Sequence, residues 1–242
     1  MAYSDNIRNV NIIYNKLPPM AAERSNFMHV HITKQLIESL MYYKIKPVLE
    51  IRIEYPEISG NLQKVSEESF NKFYQIQSRI KNRRARNYYY KMAVRDFKAS
   101  ADNDYPFNMY TFYSTYDVTF LSDSIASLYF DEYVYTGGAH GNTERISNTW
   151  DLKDGRLKQL RDFFKPNFNY RAVMTDNIIK QINKSENRED YFPEYEKLVK
   201  QYFSDKNFYL STDGFIIFYP LYTIAPYYMG IQTFLLPFSL FE

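Results

Sequence analysis

The chain of 242 residues contains no cysteine. Disulfides, thiolate nucleophiles and cysteine-ligated zinc are excluded at once. Compartment is left open, because a disulfide-free protein works equally well in the cytosol or outside a Gram-positive cell. Charge of one sign is lacking too: 30 basic residues face 28 acidic ones, for a net +2. No overall field draws such a chain to nucleic acid or to a membrane surface. Long apolar runs are also missing. The stretch Gly214-Phe-Ile-Ile-Phe-Tyr-Pro-Leu-Tyr222 stops well short of the ~20 residues that a membrane-spanning helix needs. The opening Met-Ala-Tyr-Ser-Asp-Asn-Ile-Arg has neither the basic nor the apolar region of a secretory leader. The expectation is no membrane insertion, with the protein either cytoplasmic or an ectodomain cut from a longer one. Glycine is scarce, at 7 residues, and there is one tryptophan.

Aromatics are abundant instead, with 25 Tyr and 19 Phe. Tyrosine joins apolar area to a polar tip and suits half-buried sheet faces as well as recognition surfaces. Hydrophobic residues make up 45% of the chain against 24% charged, a globular balance with enough length to bury a core.

Taken in order, Ile7 to Tyr14 reads as a strand closed by Leu17-Pro-Pro19, and alternation around His29 and His31 favours another strand. Lys34 to Tyr43 fits either a strand or a short helix. Val48 to Tyr55 alternates cleanly, with Val48, Glu50, Arg52 and Glu54 predicted on a wet face, and Pro56 and Gly60 ending the strand. Ser66 is the N-cap candidate of a long helix with Phe70, Phe73, Ile76 and Ile80 as its inward stripe. That pattern breaks at Lys81 to Arg86 and resumes around Tyr88, Met92 and Phe97. Strands follow at Asn108 to Leu121, Ile125 to Tyr135 and Thr143 to Leu152, the last leading to a turn at Lys153-Asp-Gly155. A helix carrying Tyr170, Met174, Ile178 and Ile182 precedes another with Tyr195, Leu198, Val199 and Tyr202. Asn207 to Leu210, Phe215 to Tyr219 and Ile231 to Phe238 finish as sheet. This segregated order predicts an α+β fold of antiparallel sheets packed with one long helix and a later helical pair, not alternating βαβ units.

Three of the scarce glycines, Gly137, Gly138 and Gly141, sit within Tyr135-Thr-Gly-Gly-Ala-His-Gly141. Glycine reaches φ > 0 without steric cost, so a shaped loop between two strands is predicted, with His140 at its tip. Three chemical readings compete there. His29 and His31 on one strand face, joined by His140, would make an open zinc site. His140 could be a general base oriented by Asp131 or Asp151, although no nucleophile motif lies beside it. Or the loop is held for its shape, to contact a partner, and this reading is retained. A second shaped loop is predicted at Tyr222-Thr-Ile-Ala-Pro-Tyr-Tyr-Met-Gly230, where proline fixes φ and glycine ends the segment. The basic run Arg79, Lys81, Arg83, Arg84 and Arg86 followed by Tyr88 to Tyr90 is compatible with nucleic acid. Charge balance favours a solvated helix face, and no nucleic-acid partner is expected.

Several motifs occur together in one order: Tyr55-Pro-Glu-Ile-Ser-Gly60, the glycine–histidine loop, Asp151-Leu-Lys-Asp-Gly-Arg-Leu157, Leu160-Arg-Asp-Phe-Phe164, Asp213-Gly214 and Ile224-Ala-Pro-Tyr227. In these the chain resembles the RsiV/PdaC-type bacterial family of domains of unknown function. The resemblance places a PdaC-like module at 45–122 and an RsiV-like module at 123–242, with 1–44 as an extension of unclear role. It implies an α+β fold without catalysis or cofactor of its own, sited outside the membrane. One member of the family is the ectodomain of an anti-sigma factor that binds lysozyme; another precedes the catalytic domain of a peptidoglycan deacetylase. The function expected is a non-catalytic binding or sensing module for a protein or glycan of the cell envelope. Candidate contacts are Thr136, Gly137, Gly138, His140, Gly141, Pro226, Tyr227 and Tyr228. An intracellular or spore-associated assembly protein and a metal-dependent hydrolase using His140 are the alternatives.

Overall fold

The computed structural model of the chain describes residues 30–241, together with the backbone of 6–10. The expected Leu17-Pro-Pro19 turn and His29 lie outside these residues. Strands β1 (Asn6–Val10), β2 (Val30–Tyr43), β3 (Lys46–Gly60), β4 (Tyr110–Leu121), β5 (Ile125–Tyr135), β6 (Asn142–Asp151) and β7 (Arg156–Lys158) follow sequence order across one sheet. A second sheet is ordered β10-β9-β8, from β8 (Phe208–Leu210), β9 (Gly214–Tyr219) and β10 (Gln232–Pro237). The helices are α1 (Lys64–Arg84) and α2 (Tyr90–Asp102), joined through a π turn at Ala85–Tyr89, and the later pair α3 (Tyr170–Lys184) and α4 (Tyr195–Tyr202). The class is α+β.

One pairing departs from the antiparallel expectation. β3 and β4 run parallel, Leu49 to Ile53 opposite Tyr110 to Ser114. Parallel neighbours need a long crossover, and the long helix supplies it. The ambiguous stretch at 34–43 is strand: β2 pairs with β3 antiparallel along its whole length, turning through Lys44, at φ 53, and Ile45. Pro56 does not end β3. The last β3–β4 pair is Ile53 with Ser114, so the missing N–H of Pro56 falls beyond the parallel ladder. Two residues on, Asn71 of α1 takes over the role of a neighbouring strand. Ile58 N donates to its Oδ1 at 2.7 Å, and its Nδ2 donates to Ile58 O at 2.9 Å.

The described chain divides into two compact units, and it passes between them within β4, β5 and β6. The first holds the chain up to Tyr116 with Asp131–Thr143 and Leu152–Arg156. Its core joins Val48, Leu49, Ile51 and Ile53 of β3 to Tyr110 and Phe112 of β4 and to Ala85, Tyr89 and Ala93. Val48 and Glu54, expected on a wet face, are both buried. Glu54 tolerates this because Lys34 Nζ lies 2.6 Å and Arg52 Nη2 3.1 Å from its carboxylate.

The inward stripe of α1 is Ser66, Phe70, Tyr74 and Ser78, while Ile76 and Ile80 are exposed. Side-chain hydrophobicity favours the isoleucines, but the position of Phe70 puts every fourth residue, not Phe73 or Ile76, against the sheet. Ser66 is no N-cap either. The helix begins at Lys64 after Gln63, and the Ser66 hydroxyl donates to Lys153 O at 3.1 Å. Gly155, at φ +63 in that same turn, could carry a Cβ only 2.8 Å from Ser66 Cα.

The second unit holds Asp117–Phe130, Glu144–Asp151 and the chain from Leu157. Met174, Ile178 and Ile182 of α3, with Tyr195 and Val199 of α4, pack on Phe215, Ile217, Phe234 and Leu236 of the small sheet. Asn169 caps α3, its side chain accepting from Ala172 N at 3.3 Å. Each fully buried leucine or phenylalanine of this kind contributes about 1.5–3 kcal/mol.

Candidate functional site

In the first unit, β5 delivers the chain to Thr136, whose side chain is exposed. Gly137 then turns at φ +85, a conformation that costs other residues strain. Its carbonyl accepts a hydrogen bond from Asn108 Nδ2 at 3.1 Å. Gly138, Ala139 and His140 form the exposed tip, and a Cβ at Gly138 would meet no atom within 4 Å. Gly141 is buried and returns the chain to β6. A Cβ there would lie closer than 3.0 Å to the Tyr133 ring, a separation that real Cβ atoms do not show. Tyr133 in turn stands 6.3 Å, centroid to centroid, from Tyr113, whose hydroxyl donates to the Glu50 carboxylate. Burial and that carboxylate raise the Tyr113 phenol to about 12.

His140 Nδ1 lies 2.9 Å from Gly141 O. A carbonyl only accepts, so in the neutral ring Nδ1 carries the proton and Nε2 the lone pair. His31 lies on β2, exposed and opposite Ser59. Among the described residues, no three of His, Cys, Asp and Glu come together as a group able to hold a metal ion. The zinc reading also needs His29, which lies outside them.

The second loop belongs to the second unit. Ile224 and Ala225 are buried, and Ile224 O accepts from Phe192 N at 3.1 Å. Pro226 starts a single 3-10 turn, Tyr227–Met229, which Gly230 ends at φ 71. Tyr227 is half-buried, its ring 5.5 Å from that of Tyr222. Tyr222 has φ 61, a rare conformation for a bulky residue. Tyr228 is 71% exposed, and its hydroxyl donates to Asp190 Oδ1 at 2.9 Å. That bond raises its pKa above the ordinary phenol value. Gln232 Nε2 donates to Met229 O at 2.6 Å and Gln232 Oε1 accepts from Tyr191 OH at 2.6 Å, fixing the far end of the turn.

Sequence reasoning located both loops but missed four side chains that hold them: Asn108, Tyr133, Asp190 and Gln232. None carries a local signal, because each acts from a distant element or from a strand position that reads as ordinary sheet.

The basic run is not a uniformly solvated face. Lys81 Nζ lies 3.0 Å from Glu132 and 3.0 Å from Ser114 Oγ, and both partners are buried. Arg84 donates to Tyr89 OH at 2.9 Å, and Arg86 to Asn82 and Ser39 at 3.0 Å each. Arg79 and Arg83 are exposed.

Residues 44–143 match the family described as "Deacetylase PdaC", and residues 161–239 match the protein family of unknown function DUF3298. The chain thus joins a PdaC-like module to a DUF3298, RsiV-like one, in the order its motifs imply. A DUF3298 family member from Bacteroides fragilis NCTC 9343 superposes with a TM-score of 0.67 at 18% identity, over 89% of this chain and 93% of that one. A DUF3298 protein from Pseudomonas aeruginosa PAO1 gives 0.53 at 15% identity over the same shares. At such identities the likeness is one of fold. No curated protein matches the chain. Among the described residues, no helix is long and apolar enough to cross a membrane.

Proposed function

We propose that this PdaC-like and DUF3298-like chain is a non-catalytic binding or sensing module for a protein or glycan of the cell envelope. The candidate contacts are Thr136, Gly137, Gly138, His140 and Gly141 in the first unit and Pro226, Tyr227 and Tyr228 in the second. The observation that carries this reading is common to both loops: an exposed tip whose two ends are pinned. Asn108 and Tyr133 hold the chain on either side of Gly138–His140, and buried Ile224 and the Gln232 side chain hold it on either side of Tyr228. Pre-ordered loops lose little entropy when a partner docks, and tyrosines add contact area at low rotamer cost.

Calorimetry against lysozyme and against peptidoglycan fragments tests it. Saturable binding of one of them, weakened in His140→Ala or Tyr227→Ala, is the expected result. Wild-type affinity in both variants removes the loops from the account. Release of acetate from acetylated glycan fragments by the purified chain would overturn the non-catalytic half.

A further inference from the structure

The net charge of +2 conceals a local imbalance. Between Glu68 and Asp96 the sequence has eight lysines and arginines and no acid, and this run lies on α1, the π turn and α2. Four of the eight are engaged within the first unit. Lys81 and Arg84 stand against Glu132, Arg86 donates to Asn82 and Ser39, and Arg95 lies 2.8 Å from Asp96. The other four, Lys72, Arg79, Arg83 and Lys91, are exposed, and none takes part in an ion pair among the described residues. Arg79 has the Tyr55 phenol nearby, which burial holds in its neutral form, so the guanidinium charge is left uncompensated. Ile76 and Ile80 stand among these cations. Positions 72, 76, 79, 80 and 83 share one side of an α-helix, opposite the buried Tyr74 and Ser78. The isoleucines are 42% and 51% exposed, and Tyr88, within the π turn, is 57% exposed. From Lys72 to Lys91 this side runs about 28 Å at helix rise. It shares no residue with the loops above.

This mixture favours one kind of occupant. A second copy of the chain would bring like charges face to face. Nucleic acid would engage the cations through its phosphates but gains nothing from two isoleucines. An acidic peptide helix needs a groove for its apolar stripe, and the outer side of a single helix is convex. An anionic lipid surface uses every part. Headgroup phosphates meet the cations, isoleucine and tyrosine enter the boundary between headgroups and acyl chains, and the long basic side chains reach back to the phosphates.

We propose that the outer side of α1 and α2 is a peripheral docking surface for an anionic lipid bilayer, against which the long helix lies flat without spanning it. Lys72, Arg79, Arg83 and Lys91 supply the attraction, and Ile76, Ile80 and Tyr88 supply the shallow apolar contact.

The probes are vesicles of equimolar phosphatidylglycerol and phosphatidylcholine, vesicles of phosphatidylcholine alone, and polyphosphate. The full chain should sediment with the mixed vesicles, not with phosphatidylcholine alone, and should come off as salt rises. Arg79→Gln with Arg83→Gln should weaken this binding about 25-fold, at about fivefold for each cation near the surface. Ile76→Ser with Ile80→Ser leaves the charge intact and should weaken it about tenfold. Both variants alter exposed positions, and circular dichroism checks that they are folded. An environment-sensitive fluorophore on Asn87→Cys, the only thiol in a chain without cysteine, should shift to the blue when mixed vesicles are added. The proposal fails if the full chain ignores the mixed vesicles, or if the arginine variant binds them as the parent does. It also fails if polyphosphate binds as tightly as those vesicles and the isoleucine variant loses nothing, because the occupant is then a polyanion such as nucleic acid.

Discussion

The ring of Tyr133 lies directly over the α-carbon of Gly141, eight residues along and on the far side of the glycine–histidine loop. The contact leaves no room for a side chain at 141, and it accounts for the glycine more directly than backbone conformation does, since Gly141 is not among the positive-φ residues.

Replacing Gly141 with alanine forces that ring aside and should cost about 1–3 kcal/mol of stability. Urea unfolding measures it. Combined with Tyr133→Ala, the same substitution should cost much less than the sum of the two single changes, as expected for residues in direct contact.

Gly138 and Gly155 should behave in opposite ways. Alanine at 138 enters open space and should leave the melting temperature almost unchanged, within about 0.5 kcal/mol. Any effect of that variant on ligand affinity then belongs to the loop tip and not to the fold. Alanine at 155 meets Ser66 Cα at 2.8 Å with φ at +63, and a loss of about 1–3 kcal/mol is expected.

Lys81 and Glu132 form a pair whose side chains are only 14% and 9% exposed. Lys81→Met strands the carboxylate, with Arg84 Nη1 still 3.9 Å away, and should destabilise by about 3–5 kcal/mol. The double variant Lys81→Met with Glu132→Leu should recover most of this, and equilibrium unfolding of all three proteins separates the outcomes.

Tyr113 makes the protein sensitive to alkali. Its phenol sits at about 12 in the folded state, raised chiefly by burial and then by Glu50, against 10.0 ordinarily. The folded state therefore holds this proton more tightly than the unfolded chain. The associated stability is complete below pH 10 and is lost as pH rises towards 12. Tyr113→Phe should flatten the decline of melting temperature over that window, and tyrosinate absorbance should lose one late-titrating group.

Much of this arrangement was legible from residue order. Period-two runs located β3, β4, β5 and the small sheet, and the Met174-Ile178-Ile182 spacing located α3 with its buried face. The failures have a common cause, which is that burial in α1 and β3 is decided by partners far away in sequence. Ile76 and Ile80 look like core yet face outward, while Ser66 and Ser78 are buried because a turn and a sheet approach them. Glu54 looks solvated but is buried against Lys34 and the exposed Arg52. Pro56 reads as a terminator, and nothing local announces that Asn71 will serve the backbone beyond it. At the candidate loops, glycine and proline disclose the bends, but the residues that brace those bends carry no such mark.

The π turn at Ala85–Tyr89 has a consequence for the phase of the long helix. A wider ring of backbone bonds accommodates one residue more than regular α winding does. Deleting a single residue there would restore regular winding with the downstream phase kept, whereas winding the same residues as a regular α-helix would rotate everything downstream by about 100°. Ala93 and the ring of Phe97 would swing away from β3 and Tyr43, and Arg95 and Lys98 would turn towards the sheet. The irregularity thus acts as a gear tooth, keeping two stretches of helix, one on either side of it, meshed with the same sheet.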